Sequence, residues 1–176
     1  MTGPVFVDAN VFVYARDISE PVKQPLAAGW LEKLWQEQLG RTSTQALSEY
    51  YAVVTQKLEP GLAPDEAWDD VKALFAWNPE PVDINLQLRA REIQRRYRLN
   101  WWDCLIVAAA QAQSCALLLS EDMQDRAIYG GVTVRNPFTL GVSEAPENYV
   151  ALPQVTHQHR ARGRPRRKRN QQGRHV

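Results

Sequence analysis

The strongest constraint on how this chain can fold is a set of three apolar runs, each too short to make a helix. They are Val5-Phe6-Val7, Ala116-Leu117-Leu118-Leu119 and Val132-Thr133-Val134, and long stretches of helical period separate the first from the other two. Runs of this kind read as strands buried on both faces, as in a parallel sheet covered by helices on either side. The expected fold class is therefore α/β, a three-layer α/β/α arrangement with a central, mainly parallel sheet.

The intervening segments support that expectation. Leu26, Trp30, Leu34 and Trp35 recur at helical spacing between about Val22 and Leu39, with Gly40 as the stop. Thr42-x-x-Gln45 reads as a capping box opening a helix over about Gln45 to Lys57, which Pro60-Gly61 ends. A further helix is expected from Pro64 to Trp77, with proline in the first turn. Residues 85–97 place Leu86, Ala90 and Ile93 on one face and many charges on the other. Trp101 to Gln113 is apolar nearly all round and predicts a buried helix opened by Asn100. A short helix is expected after Asp122, and Gly130-Gly131 should turn the chain into the last strand.

With 176 residues, 44% of them hydrophobic, the chain supports one sizeable core. The charge is unevenly spread. Residues 1–150 hold all 20 acids and 13 of the 21 basic residues, whereas residues 151–176 hold 8 basic residues and no acid. The reading is a folded domain over 1–150 followed by a basic tail over 151–176 that stays disordered unless bound. No apolar run is long enough for a membrane span, and the opening residues do not resemble a secretory signal, so a cytoplasmic location is expected. Cys104 and Cys115 sit in apolar surroundings and far from the three histidines, which lie in the tail, so both are expected to pack as small hydrophobes.

Four acids carry the chemistry. Asp8 follows the first strand and Asp122 follows the second by way of Ser120-Glu121. Ligands of open parallel sheets bind at the carboxyl ends of strands, so both acids point toward one edge. Glu49 and Asp103 lie on helices able to reach that edge. Each has a structural alternative: Asp8, Asp103 and Asp122 as helix caps, Glu49 on a solvated face. Together they would repel by about 4 kcal/mol per close pair at an effective dielectric near 20. Such a cluster needs cations, and oxygen ligands without His or Cys point to Mg²⁺ or Mn²⁺. The chemistry that follows is hydrolysis of a phosphodiester.

These residues resemble the PIN-domain nucleases, and most closely the VapC-type toxins of bacterial toxin–antitoxin pairs, over roughly residues 4–138. The resemblance is carried by Val5-Phe6-Val7-Asp8-Ala9-Asn10, Gln45-Ala46-Leu47-Ser48-Glu49-Tyr50-Tyr51, Trp102-Asp103-Cys104-Leu105-Ile106-Val107-Ala108-Ala109-Ala110 and Leu118-Leu119-Ser120-Glu121-Asp122. It implies a metal-dependent endoribonuclease in which Asp8, Glu49, Asp103 and Asp122 hold one or two divalent ions. Asn10 would orient Asp8 or a metal-bound water, Ser120 would support the loop of the last acid, and Asp125 would add an outer carboxylate. It also implies a homodimer held in check by a small antitoxin, and products ending in a 5′-phosphate and a 3′-hydroxyl. Ser120 stands where threonine is common, and the basic tail lies outside the family pattern.

The tail cations Arg160, Arg162, Arg164, Arg166, Arg167, Lys168 and Arg169, with Arg174, read either as an electrostatic arm for RNA or as a solubilising terminus. Of the six tryptophans most sit at core spacing, and Trp101, beside Asp103, is the best placed to stack on a base. A phosphatase of the haloacid-dehalogenase type would need a second aspartate where Asn10 stands. Two rival functions keep the same fold: a PIN nuclease of RNA processing, and a non-catalytic scaffold that binds RNA.

Overall fold

The three apolar runs form strands, and two further short strands join them. The computed structural model describes residues 3–140. Its strands are β1 (Val5–Val7), β2 (Gly40–Arg41), β3 (Leu117–Leu119), β4 (Ile128–Tyr129) and β5 (Val132–Arg135). Its helices are α1 (Ala9–Arg16), α2 (Lys23–Gln36), α3 (Thr44–Gln56), α4 (Pro64–Leu74), α5 (Ile84–Tyr97) and α6 (Trp101–Ala112), with a 3-10 turn at Phe75–Trp77. The strand order is β2-β1-β3-β5-β4, parallel throughout except for the β4–β5 hairpin across Gly130-Gly131. The end of the expected domain at 150 and the tail cations from Arg160 onward lie outside the described residues.

Register explains the layers. Val5, Phe6 and Val7 pair with Leu117, Leu118 and Leu119 in turn. Because side chains alternate along a strand, Phe6, Leu118 and Val134 enter one core with Leu86, Ala90 and Ile93 of α5 and Leu105 and Ile106 of α6. Val5, Val7, Leu117 and Leu119 enter the other core with Trp30 and Leu34 of α2, Tyr50 of α3 and Trp77. The fold is the expected three-layer α/β/α sandwich.

Four local features differ from the sequence reading. Ala9–Arg16 is a helix that the pattern did not announce, because Val11, Phe12 and Val13 weaken helix propensity by a few tenths of a kcal/mol each. Burying Val11 and Phe12 outweighs that deficit, at about 2 kcal/mol per side chain. Gly40 is a strand residue, and Gln38, in the left-handed region at φ 57°, terminates α2. A Cβ on Gly40 would stand 2.4 Å from the Trp77 ring, so glycine lets the indole lie against β2. Ser43, not Thr42, caps α3, accepting from the Ala46 amide at 3.2 Å, while the Thr42 hydroxyl donates to the Val7 carbonyl. No helix follows Asp122. The chain there runs back along β5, with Arg126 N donating to Val134 O and Val134 N to Ala127 O, both at 2.8 Å.

Candidate active site

The parallel register of β1 and β3 sets the floor of the site. Asp8 follows Val7 and Ser120 follows Leu119, so the two residues emerge side by side from paired strand ends. The Ser120 hydroxyl donates to Asp8 Oδ2 at 2.8 Å, and the Ala9 amide donates to Oδ1 at 2.7 Å. Asp8 thus caps α1 and faces the site at once.

Asn10, near the start of α1, ties the two acidic segments together. Its Nδ2 lies 3.2 Å from Asp8 Oδ2, 3.2 Å from Ser120 Oγ and 3.3 Å from Asp122 Oδ2. Its Oδ1 accepts from the Glu121 amide at 3.3 Å. Glu121 in turn reaches Lys23 Nζ at 2.7 Å, which fixes the Asp122 segment against α2. The Ser120 hydroxyl, expected to support the loop of the last acid, donates to Asp8 and accepts from Asn10, which also reaches Asp122. The Asp125 carboxylate, expected to add an outer carboxylate, accepts from Arg135 Nε and from the Asn136 amide.

Two helices bring the other acids. Asn100 caps α6 by accepting from the Asp103 amide at 3.0 Å, and its side-chain amide donates back to the Asp103 carboxylate. Glu49 is held on α3 by Gln45, whose Nε2 stands 3.0 Å from its carboxylate and 3.5 Å from the Trp102 carbonyl. Gln45 and Asn100 were read from the sequence only as capping residues, and the structure adds their contacts to Glu49 and Asp103. The i, i+4 and i, i+3 spacings to Glu49 and Asp103 were the available signals.

Glu49 and Asp122 each bear on both of the more buried acids, Asp8 and Asp103. Asp8 is pushed up to about 7, first by burial, with Glu49 and Asp122 adding repulsion against the hydrogen bonds from Ser120 and Ala9. Asp103 is pushed up to about 6 by burial, then by Asp122 and Glu49, against the Asn100 hydrogen bond. Desolvation outweighs the neutral donors in both cases. Among the described residues, no three acids, histidines or cysteines are drawn into a closed ion-binding cluster. The donor set is nevertheless all hard oxygen, and a divalent cation would relieve both the burial and the repulsion. On its chemistry the set fits Mg²⁺ or Mn²⁺.

The remaining sequence candidates separate cleanly. Cys104 and Cys115 are buried, and burial lifts their thiols to about 11 and about 12, out of nucleophilic range. Trp101 packs against the α5–α6 core, whereas its neighbour Trp102 is 54% exposed. Two apolar hollows of about 190 and 270 Å³ flank α4, lined by Trp35 and Trp77 and by Trp68 and Phe75 respectively, and hold none of the four acids.

A solved structure of VapC20 from Mycobacterium tuberculosis, a sarcin-ricin loop cleaving toxin, is similar at 17% identity and a TM-score of 0.48. That alignment covers 65% of this chain and 86% of the other. No curated protein sequence matches the chain. The family model described as PIN domain matches residues 5–129, from the first residue of β1 to the last of β4. The chain belongs to the PIN domain family.

Proposed function

We propose that this protein is a divalent-metal-dependent endoribonuclease of the VapC toxin type. The carrying observation is the shared field of Asp8, Glu49, Asp103 and Asp122 at the carboxyl ends of β1 and β3. Membership in a family of nucleases supports hydrolysis of RNA. The four carboxylates would hold Mg²⁺ or Mn²⁺, which when bound neutralises charge on a phosphodiester and acidifies a water.

The chain's own residues set up that chemistry. Ser120 and the Ala9 amide fix both oxygens of Asp8, so the carboxylate does not need to reorganise when a cation arrives. Asn10 holds Asp122 in the same frame, and Asn100 and Gln45 do so for Asp103 and Glu49. Exposed Glu49 and Asp122 leave the solvent side open for a polymer. Residues 1–150 form the nuclease domain in this reading, and the basic tail over 151–176 adds attraction for RNA. The resemblance to VapC toxins adds a homodimer, a small antitoxin partner and a cytoplasmic setting. No helix among the described residues is long and apolar enough to cross a membrane.

The test is cleavage of a defined RNA with and without Mg²⁺ or Mn²⁺, by wild type and Asp8→Asn. Metal-dependent cleavage lost in the variant is the expected result. Equal cleavage by both proteins would overturn the mechanism, and RNA binding without any cleavage would indicate a scaffold.

A further inference from the structure

A patch of unneutralised positive charge lies on the domain outside the acid site. Arg89, Arg91, Arg95, Arg96 and Arg98 fall within one stretch of α5 and its C-cap, and all are exposed. Glu92 is the single acid among residues 89–98, and only Arg95 reaches it, at 3.4 Å, with side chains 67% and 72% exposed. A pair so exposed neutralises little. Arg91 donates to the neutral Gln94, and Arg96 rests over the Tyr97 ring. Among the described residues, Arg89 and Arg98 have no carboxylate within ion-pair distance. Elsewhere in the domain Arg16, Lys23 and Arg135 each sit in a less exposed pair with an acid, whereas Arg41 donates to the Gln38 and Gly40 carbonyls.

Position gives the patch a direction. Leu86, Ala90 and Ile93 bury one face of α5, which leaves Arg91, Arg95 and Arg98, at helical spacing, on the outer side. Arg98 ends the helix in the left-handed region at φ 58°, and the chain turns through Asn100 into α6. Along the chain the arginine strip is followed within a few residues by exposed Trp102 and then Asp103. Attraction to the helix dipole accounts for Arg95 and Arg96 in the last turn. It leaves Arg89, Arg91 and the exposed indole unexplained.

We propose that the outer arginines of α5 and the Trp102 indole form a track for single-stranded RNA leading to the acid site. The guanidinium groups take backbone phosphates, and the indole stacks one base beside the bond to be cut. The proposal deepens the ribonuclease reading and rests on it for the identity of the polymer.

The test uses the full chain carrying Asp8→Asn, so that RNA stays intact, and a fluorescent unstructured RNA followed by anisotropy. With Arg91, Arg95 and Arg98 all changed to Gln, the slope of log affinity against log salt should fall by about 2, from about 0.7 per single-strand phosphate contact. Affinity should drop at least tenfold at about 0.1 M salt. Arg→Lys at the same three positions should keep the slope. Trp102→Ala should weaken binding by about tenfold with the slope unchanged, since stacking releases no counterions. An unchanged slope in the glutamine triple variant, with native circular dichroism, overturns the track. Loss of self-association with an unchanged slope would instead assign the strip to a second copy of the chain. Because binding is read without cleavage, failure of the track and failure of the nuclease reading are separable.

Discussion

The acid site and the α5 arginine strip concentrate charge by opposite means. The acids come from the segment after β1, α3, α6 and the segment after β3, residues distant in sequence and held together by two cores. The arginines come from one helix and would be neighbours in any helical peptide of that sequence. Burial keeps the acids in mutual repulsion and lifts Asp8 and Asp103 toward neutrality. The arginines stand in water, where screening makes their repulsion small. Like charge is thus held close at the acid site by tertiary packing, whereas on α5 solvent makes it tolerable.

The comparison is most sharply tested at Asp8. Asp8→Asn should lower RNA cleavage on the order of a thousandfold. Asparagine is also a good N-cap, so α1 should survive, and thermal melting in EDTA should show a melting temperature unchanged or raised. A fall of several degrees would mean that the carboxylate is chiefly structural.

The next effect is on stability with pH. Burial holds Asp8 protonated up to about 7 and Asp103 up to about 6, both above an ordinary value of 3.8. The folded state therefore binds more protons than the unfolded state through that window. Metal-free protein should lose stability as pH rises from about 4 to about 7, and Mg²⁺ should restore it. Denaturant melts at several pH values in EDTA check this, and Asp8→Asn should flatten the dependence. A metal-free protein that becomes more stable across that range would contradict the shared field.

A smaller effect is expected at Asn100. Asn100→Ala removes the α6 cap and the donor to Asp103, and should cost about 1 kcal/mol of stability. Cleavage should fall further than that loss explains, which Asn100→Asp, retaining the cap without the donor, would separate. The smallest effect should come from Arg91→Gln on α5, within about 0.5 kcal/mol by chemical denaturation. A large loss there would show that the strip is structural and erase the contrast between the two regions.

Much of the fold was legible because apolar patterning is local. Val5–Val7 and Leu117–Leu119 read as buried strands, and the α5 face of Leu86, Ala90 and Ile93 read as amphipathic. What escaped was local structure fixed from outside. The α1 helix has a β-branched, aromatic sequence and forms because Val11 and Phe12 are buried. β2 is two residues long and exists because β1 offers it an edge. The expected helix after Asp122 gives way to backbone pairing with β5. At the site, the four acids and Asn10 were recognisable from their motifs, but the partners of their oxygens were not. Ser120 serves Asp8, Asp125 serves Arg135, and Trp102, not Trp101, stands in solvent.

By itself the sequence determined the layer architecture, the choice of the four candidate acids and the arginine density of α5, since each depends on residue type at short spacing. The tertiary structure alone decided that those acids feel one another, because the parallel register of β1 and β3 and the docking of α3 and α6 set the distances. It also decided which side chains fix each carboxylate and which tryptophan is exposed. Those outcomes depend on contacts between residues far apart in the chain, which periodicity and motif spacing do not encode.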